Sequence, residues 1–152
     1  MELRLRPWRE AEHLRHLSEG NWEPMYDDIG VPLLDIQGKR GVRAQKTDGS
    51  YVGCDFIRMY PGARFPLHTH EGDHELYFIS GIGFVHVDGK DILVTAGHLI
   101  HIPAEYPHAV WVGEEAKGPL IFAAVGHPHH QVDAIDRMTV VTPDDDTVGS
   151  SD

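Results

Sequence analysis

Cysteine is nearly absent: Cys54 is the one thiol among 152 residues, which excludes an internal disulfide and fits a reducing compartment. It reads as a small buried hydrophobe rather than a nucleophile. No stretch approaches the ~18 consecutive apolar residues that span a bilayer, and the opening Met-Glu-Leu-Arg-Leu-Arg-Pro-Trp has no apolar signal core. No membrane partner and a cytoplasmic location are therefore expected. Basic residues are scarce too, with 13 Lys and Arg against 24 Asp and Glu and a formal net charge of −11. That balance argues against nucleic-acid binding, which needs a basic face. Internal repeats of roughly 20–50 residues, the mark of solenoids and propellers, are also missing.

What remains points to one compact domain. A hydrophobic content of 41% supplies one core, and 16 Gly with 10 Pro among short β-rich runs favour an all-β architecture. Pro7 can open a helix running to about Ser18, with Trp8, Ala11, Leu14 and Leu17 on one face and Gly20 as its stop. His13 and His16 read as solvated residues of that helix. Asn21 to Gly30 reads as loop. Strands are expected over Val31–Ile36, Val42–Thr47, Tyr51–Tyr60, Glu75–Ser80, Gly83–Val87, Ile92–Thr95, Leu99–Ile102, Ala109–Val112 and Leu120–Val125. Asp48-Gly49 and Asp88-Gly89 mark hairpin turns. The expected organisation is a helix and loop over 1–30, a barrel over 31–141 and a disordered acidic tail over 142–152.

The chemistry lies in the histidines, of which there are 12. Residues two apart on a strand share a face, so His68 and His70 can both point inward as a chelating pair. His74 follows after Glu71-Gly72-Asp73, a linker able to turn the chain back toward the pair. His108 closes a second segment that begins at Gly97. Imidazole suits Zn, Cu, Fe and Ni, and a ligating ring needs a partner for its other nitrogen.

The landmarks Gly62, His68, His70 and Gly81, followed by Gly97, Pro103 and His108, resemble the two motifs of the cupin family. The resemblance implies a small single-domain cupin, an all-β double-stranded β-helix (jelly-roll-like barrel), here with a short N-terminal helix. Two positions depart from the second motif, Glu105 standing for a Gly and Val112 for an Asn. In the first motif the third ligand precedes the closing glycine by seven places. His74 meets that spacing to Gly81, whereas Glu75 lies only six before it. The resemblance is thus to the four-histidine branch, with His68, His70, His74 and His108 holding one divalent ion, Fe or Mn favoured and Zn, Ni or Cu alternatives. Small cupins are often dimers, so a homodimer is expected.

Alternation that turns His74 inward also turns Leu76, Phe78 and Ser80 inward, and His108 carries Val110 with it. Phe78 and Val110 are therefore candidate substrate contacts in a largely apolar cavity. Glu75 is a candidate partner of a ligand ring or a proton-transfer group. His86, His98 and His101 are candidate proton shuttles but read more simply as surface residues, and His127-Pro128-His129-His130 reads as a solvated loop. The expected function is a metal-dependent dioxygenase acting on a small hydrophobic or aromatic oxygenated substrate. The alternatives are a redox-inert isomerase or lyase, and a non-catalytic ligand-binding sensor.

Overall fold

In the computed structural model, residues 6–141 are described; the acidic tail expected over 142–152 lies outside them. The chain forms α1 (Glu10–His13), β1 (Glu23–Tyr26), β2 (Pro32–Gln45), β3 (Tyr51–Met59), β4 (His68–Thr69), β5 (Asp73–Ser80), β6 (Ile82–Val87), β7 (Lys90–Thr95), β8 (Leu99–Ile102), β9 (His108–Trp111), β10 (Leu120–His127) and β11 (Thr139–Val140). Two antiparallel sheets, ordered β1-β2-β3-β10-β5-β8 and β11-β4-β9-β6-β7, make the jelly-roll barrel. Among the described residues no helix is long and apolar enough to cross a membrane.

Alternation builds the interior. Gly53, Asp55, Ile57 and Met59 of β3, and Leu120, Phe122, Ala124 and Gly126 of β10, are buried while their neighbours are partly exposed. Phe78, Phe122, Met59, Leu120 and Val85 are at most 1% exposed and anchor the core. Each such side chain contributes about 1.5–3 kcal/mol of transfer free energy.

Three local expectations are corrected. The N-terminal helix is one turn, not the span to Ser18. Glu19 accepts the His16 N–H at 2.8 Å and the His16 ring accepts the Ser18 N–H at 3.1 Å. These local bonds set up a separate turn, and α1 buries no residue that would stabilise its extension. The stretch read as loop contains β1, an edge strand that tolerates Pro24 and buries Met25 completely. The two strands expected on either side of Gly38 and Gly41 are one long strand, β2, with a bulge between Lys39 and Val42 against β3. A Cβ at Gly41 would run into the Cys54 carbonyl, so the bulge requires glycine there.

Both anticipated hairpin turns are present. Asp48 Oδ1 accepts the Ser50 N–H at 2.9 Å beside Gly49 at φ 91°, and Asp88 and Gly89 take φ of 54° and 68° between β6 and β7. Glu105 also adopts a left-handed φ of 63°, the conformation of the glycine it replaces, and its N–H donates to the His70 carbonyl at 2.7 Å. The loop before His108 thus keeps its shape without the glycine.

Candidate metal centre

β4 and β9 lie side by side with His68 directly opposite His108, so pairing alone brings two rings together, their centroids 4.4 Å apart. His70, two residues along, presents its ring to the same space, 4.7 Å from His68 and 4.9 Å from His108. His68, His70 and His108 are buried, and one donor nitrogen from each lies within 4.8 Å of the others.

Each ring is oriented by a backbone carbonyl. His68 Nδ1 lies 2.7 Å from Pro66 O, His70 Nδ1 2.7 Å from Arg137 O, and His108 Nδ1 2.8 Å from Tyr106 O. A carbonyl only accepts, so each Nδ1 carries the proton and each Nε2 offers a lone pair. Three neutral imidazoles whose distal nitrogens are fixed and whose near nitrogens converge are a donor set suited to a divalent transition metal.

His74 enters from β5 in the other sheet and stacks on His70, ring centroids 4.0 Å apart and planes 8° from parallel. It joins the cluster as a packed ring, and its nitrogens are not within the 4.8 Å grouping of the other three. Burial, the largest cause in every case, drives all four rings toward neutrality. His70 falls to about 3, His74 to about 2 and His108 to about 4, from an ordinary 6.5; His68 falls well below that value. Mutual repulsion among the rings acts in the same direction for His68, His70 and His74.

The remaining expected residues lie elsewhere. Glu75 does not face the rings: its carboxylate sits 3.7 Å from His101 Nδ1 and 3.6 Å from His127 Nε2, both half-exposed. Alternation along β5 that turns His74 inward turns its neighbour out. Phe78 and Val110 belong to the apolar core, Phe78 against Phe122 at 5.1 Å. His86 pairs with Asp91 at 3.1 Å, His98 accepts the Thr95 N–H in a turn, and His101 is exposed beside Asp73. Burial, with Asp55 alongside, pushes the Cys54 thiol up to about 11, so it is protonated and inert at neutral pH.

Next to His74 lies a space of about 20 Å³ lined also by Asp55, Ile57, Ala124, Gly126, His129, His130, Val132 and Arg137. That is room for about one water, and charged and polar side chains share its lining with apolar ones, unlike the largely apolar cavity expected. The segment after β10 is thus not a solvated loop throughout. His129 is buried and its Nε2 lies 2.6 Å from Asp55 Oδ2. Arg43 Nε donates to His129 Nδ1 at 3.1 Å, which makes Nδ1 the acceptor and Nε2–H the donor to Asp55. Asp55 Oδ1 accepts the Gly41 N–H at 2.9 Å, so the β2 bulge completes the network.

The consequence is testable. Asn at position 55 keeps the shape but turns an amide N–H₂ toward the His129 Nε2–H. The alternative ring tautomer would only move the conflict to Arg43. Asp55→Asn is expected to destabilise the protein by about 2–3 kcal/mol in chemical denaturation, the cost of mismatched buried donors. A change below about 0.5 kcal/mol, the scatter of neutral surface substitutions, would contradict the assigned proton positions.

Residues 55–131 match the family described as Cupin domain. The oxalate-binding protein of Thermotoga maritima is 34% identical over 55 residues, covering 36% of this chain and 46% of that protein, so the match spans under half of that relative's length. The polyketide cyclase RemF from Streptomyces resistomycificus superposes with a TM-score of 0.63 at 19% identity, over 88% of this chain and 89% of the other. A cupin-2 domain protein from Rhodospirillum rubrum gives a TM-score of 0.63 at 16% identity, over 92% and 87%. At such identities the likeness is one of fold.

Proposed function

The chain belongs to the cupin family, and from that premise we propose that it is a metal-dependent enzyme of the oxygen-using, dioxygenase type, acting on a small oxygenated molecule. The observation that carries the reading is the set of three buried imidazoles, each with Nδ1 tied to a carbonyl and its near nitrogen directed at the others. Their donor chemistry fits a divalent transition ion. His68, His70 and His108 would hold it, with His74 the fourth ligand of a four-histidine set. Iron or manganese is the ion proposed, with zinc, nickel and copper also within the reach of imidazole.

A redox-capable ion bound there would supply oxygen activation and polarisation of a substrate oxygen. The protein's own contribution is to keep four rings neutral and three of them aimed, to shut out bulk water by burial, and to flank the site with Ile57, Ala124 and Val132 on its apolar side. The space beside His74, room for about one water, favours a small substrate over the larger aromatic molecule anticipated. The Asp55–His129 pair lines that space and is placed to hold or pass a proton. That pair supports a second reading, a redox-inert isomerase or lyase in which the ion polarises a carbonyl and His129 moves a proton.

Oxygen consumption by metal-analysed protein with small hydroxy, keto and carboxylic acids decides between them. Substrate-dependent oxygen uptake is expected; turnover at the same rate without oxygen would overturn the dioxygenase in favour of the isomerase or lyase.

A further inference from the structure

Arg137 is the one guanidinium that reaches the interior space beside the rings, among the described residues. The residue as a whole is partly exposed, yet its Nε and Nη1 are sealed from solvent and have no hydrogen-bond partner. Its charge acts on His68, His70 and His74, pushing their basicity down, while its own carbonyl orients His70. The side chain is thus a fixed neighbour of the cluster rather than a stray surface cation.

Among the described residues the cation has no carboxylate paired directly with it. Asp55 is the carboxylate lining the same space, and its two oxygens are already engaged by the Gly41 N–H and by His129. No ion pair to Arg137 forms among the described residues, although Asp55 lies near enough to favour its charged form. Burial pushes Arg137 down to about 10, so it remains a cation at neutral pH. A buried guanidinium with unmet donors, set beside a donor cluster suited to a dication, is electrostatically unfavourable until an anion enters between them.

We propose that Arg137 is the anion-binding residue of this site, an unpartnered N–H of its guanidinium, on Nε or Nη1, donating to the carboxylate or equivalent oxyanion of a small substrate held next to the His68, His70, His74 and His108 rings. Guanidinium stays charged and holds its N–H donors in a fixed plane, which a flexible ammonium would not. Four of the lining residues, His129, His130, Val132 and Arg137, come from the segment between β10 and β11, so that segment sets the size of the anion admitted. The inference deepens the metal-centre reading, since it assigns the substrate class of that same site.

Formate and acetate, with formamide and acetamide as neutral counterparts of similar shape, are the probes, read by calorimetry and by the shift of the thermal midpoint. Unaltered protein is expected to bind acetate at least tenfold more tightly than acetamide. Arg137→Gln is expected to lose at least tenfold in acetate affinity with acetamide unchanged, and Arg137→Lys to fall between. Arg137→Met, which removes the donors but keeps the stem, serves where Gln disturbs folding, checked by near-ultraviolet circular dichroism. Metal content is measured on every sample. Equal acetate affinity with and without the guanidinium, or no preference for acetate over acetamide, overturns the proposal. Protein that holds no metal but still binds acetate through Arg137 would remove the metal reading and leave this one standing.

Discussion

His70→Ala and His108→Ala proteins, purified without a histidine tag, are each expected to carry less than a tenth of the divalent metal held by the unaltered protein, while Glu75→Gln keeps it all. The difference follows from placement. His70 and His108 sit in the group of nitrogens within 4.8 Å, whereas Glu75 faces half-exposed His101 and His127 on the far side of β5. Loss of an outer partner costs roughly 10–100-fold in metal affinity, and loss of one of three converging donors costs more. His74→Ala is the informative intermediate, because its ring stacks on His70 instead of joining the tight trio. It is expected to weaken binding about 10–100-fold yet still fill at saturating metal. Elemental analysis after dialysis against a weak chelator reads all four variants against the unaltered protein. Full metal content in both His70→Ala and His108→Ala would sink the assignment.

The part of this site that was legible before folding is the part carried by local spacing. His68 and His70 share a strand face by period, and the Gly97, Pro103 and His108 landmarks placed the opposing ring, which pairing of β4 with β9 then delivered. Glycine and aspartate marked the two hairpins because only a few residues take positive φ cheaply. The parts that stayed hidden depend on contacts across long stretches of chain. Arg137 reaches His70 across 67 positions and His129 reaches Asp55 across 74, on an irregular segment with no periodicity to read. Asp55 was readable in principle: on β3 it shares its face with Gly53, Ile57 and Met59, and a carboxylate on an otherwise apolar inward face demands a partner. β1 was hidden by Pro24, which argues for loop until an edge position makes the missing N–H harmless.

The same buried rings make the metal-free protein sensitive to acid, and the sign can be worked out. In the unfolded chain each histidine titrates near 6.5, but in the fold His70, His74 and His108 titrate at about 3, 2 and 4, with His68 also far below 6.5. Below pH 6.5 the unfolded chain therefore binds more protons than the folded one, and stability falls with falling pH. The contribution is intact above pH 6.5 and is lost progressively as pH drops toward the folded-state values of about 4 to 2. Each ring that stays neutral costs about 1 kcal/mol per pH unit, so four together cost on the order of 5 kcal/mol between pH 6 and 5. That approaches the whole stability of a typical domain, about 5–15 kcal/mol, and metal-free protein is expected to unfold cooperatively near pH 5. Urea unfolding of chelator-treated protein at half-unit intervals from pH 7.5 to 4.5 measures the slope. Metal-free His108→Ala should show a shallower slope by one ring's share, and bound metal should move the loss to lower pH, since protons must then displace the ion as well. A stability profile flat between pH 7 and 5 would mean that the rings are charged or solvated in the folded protein, which is incompatible with a buried cluster poised to hold a cation.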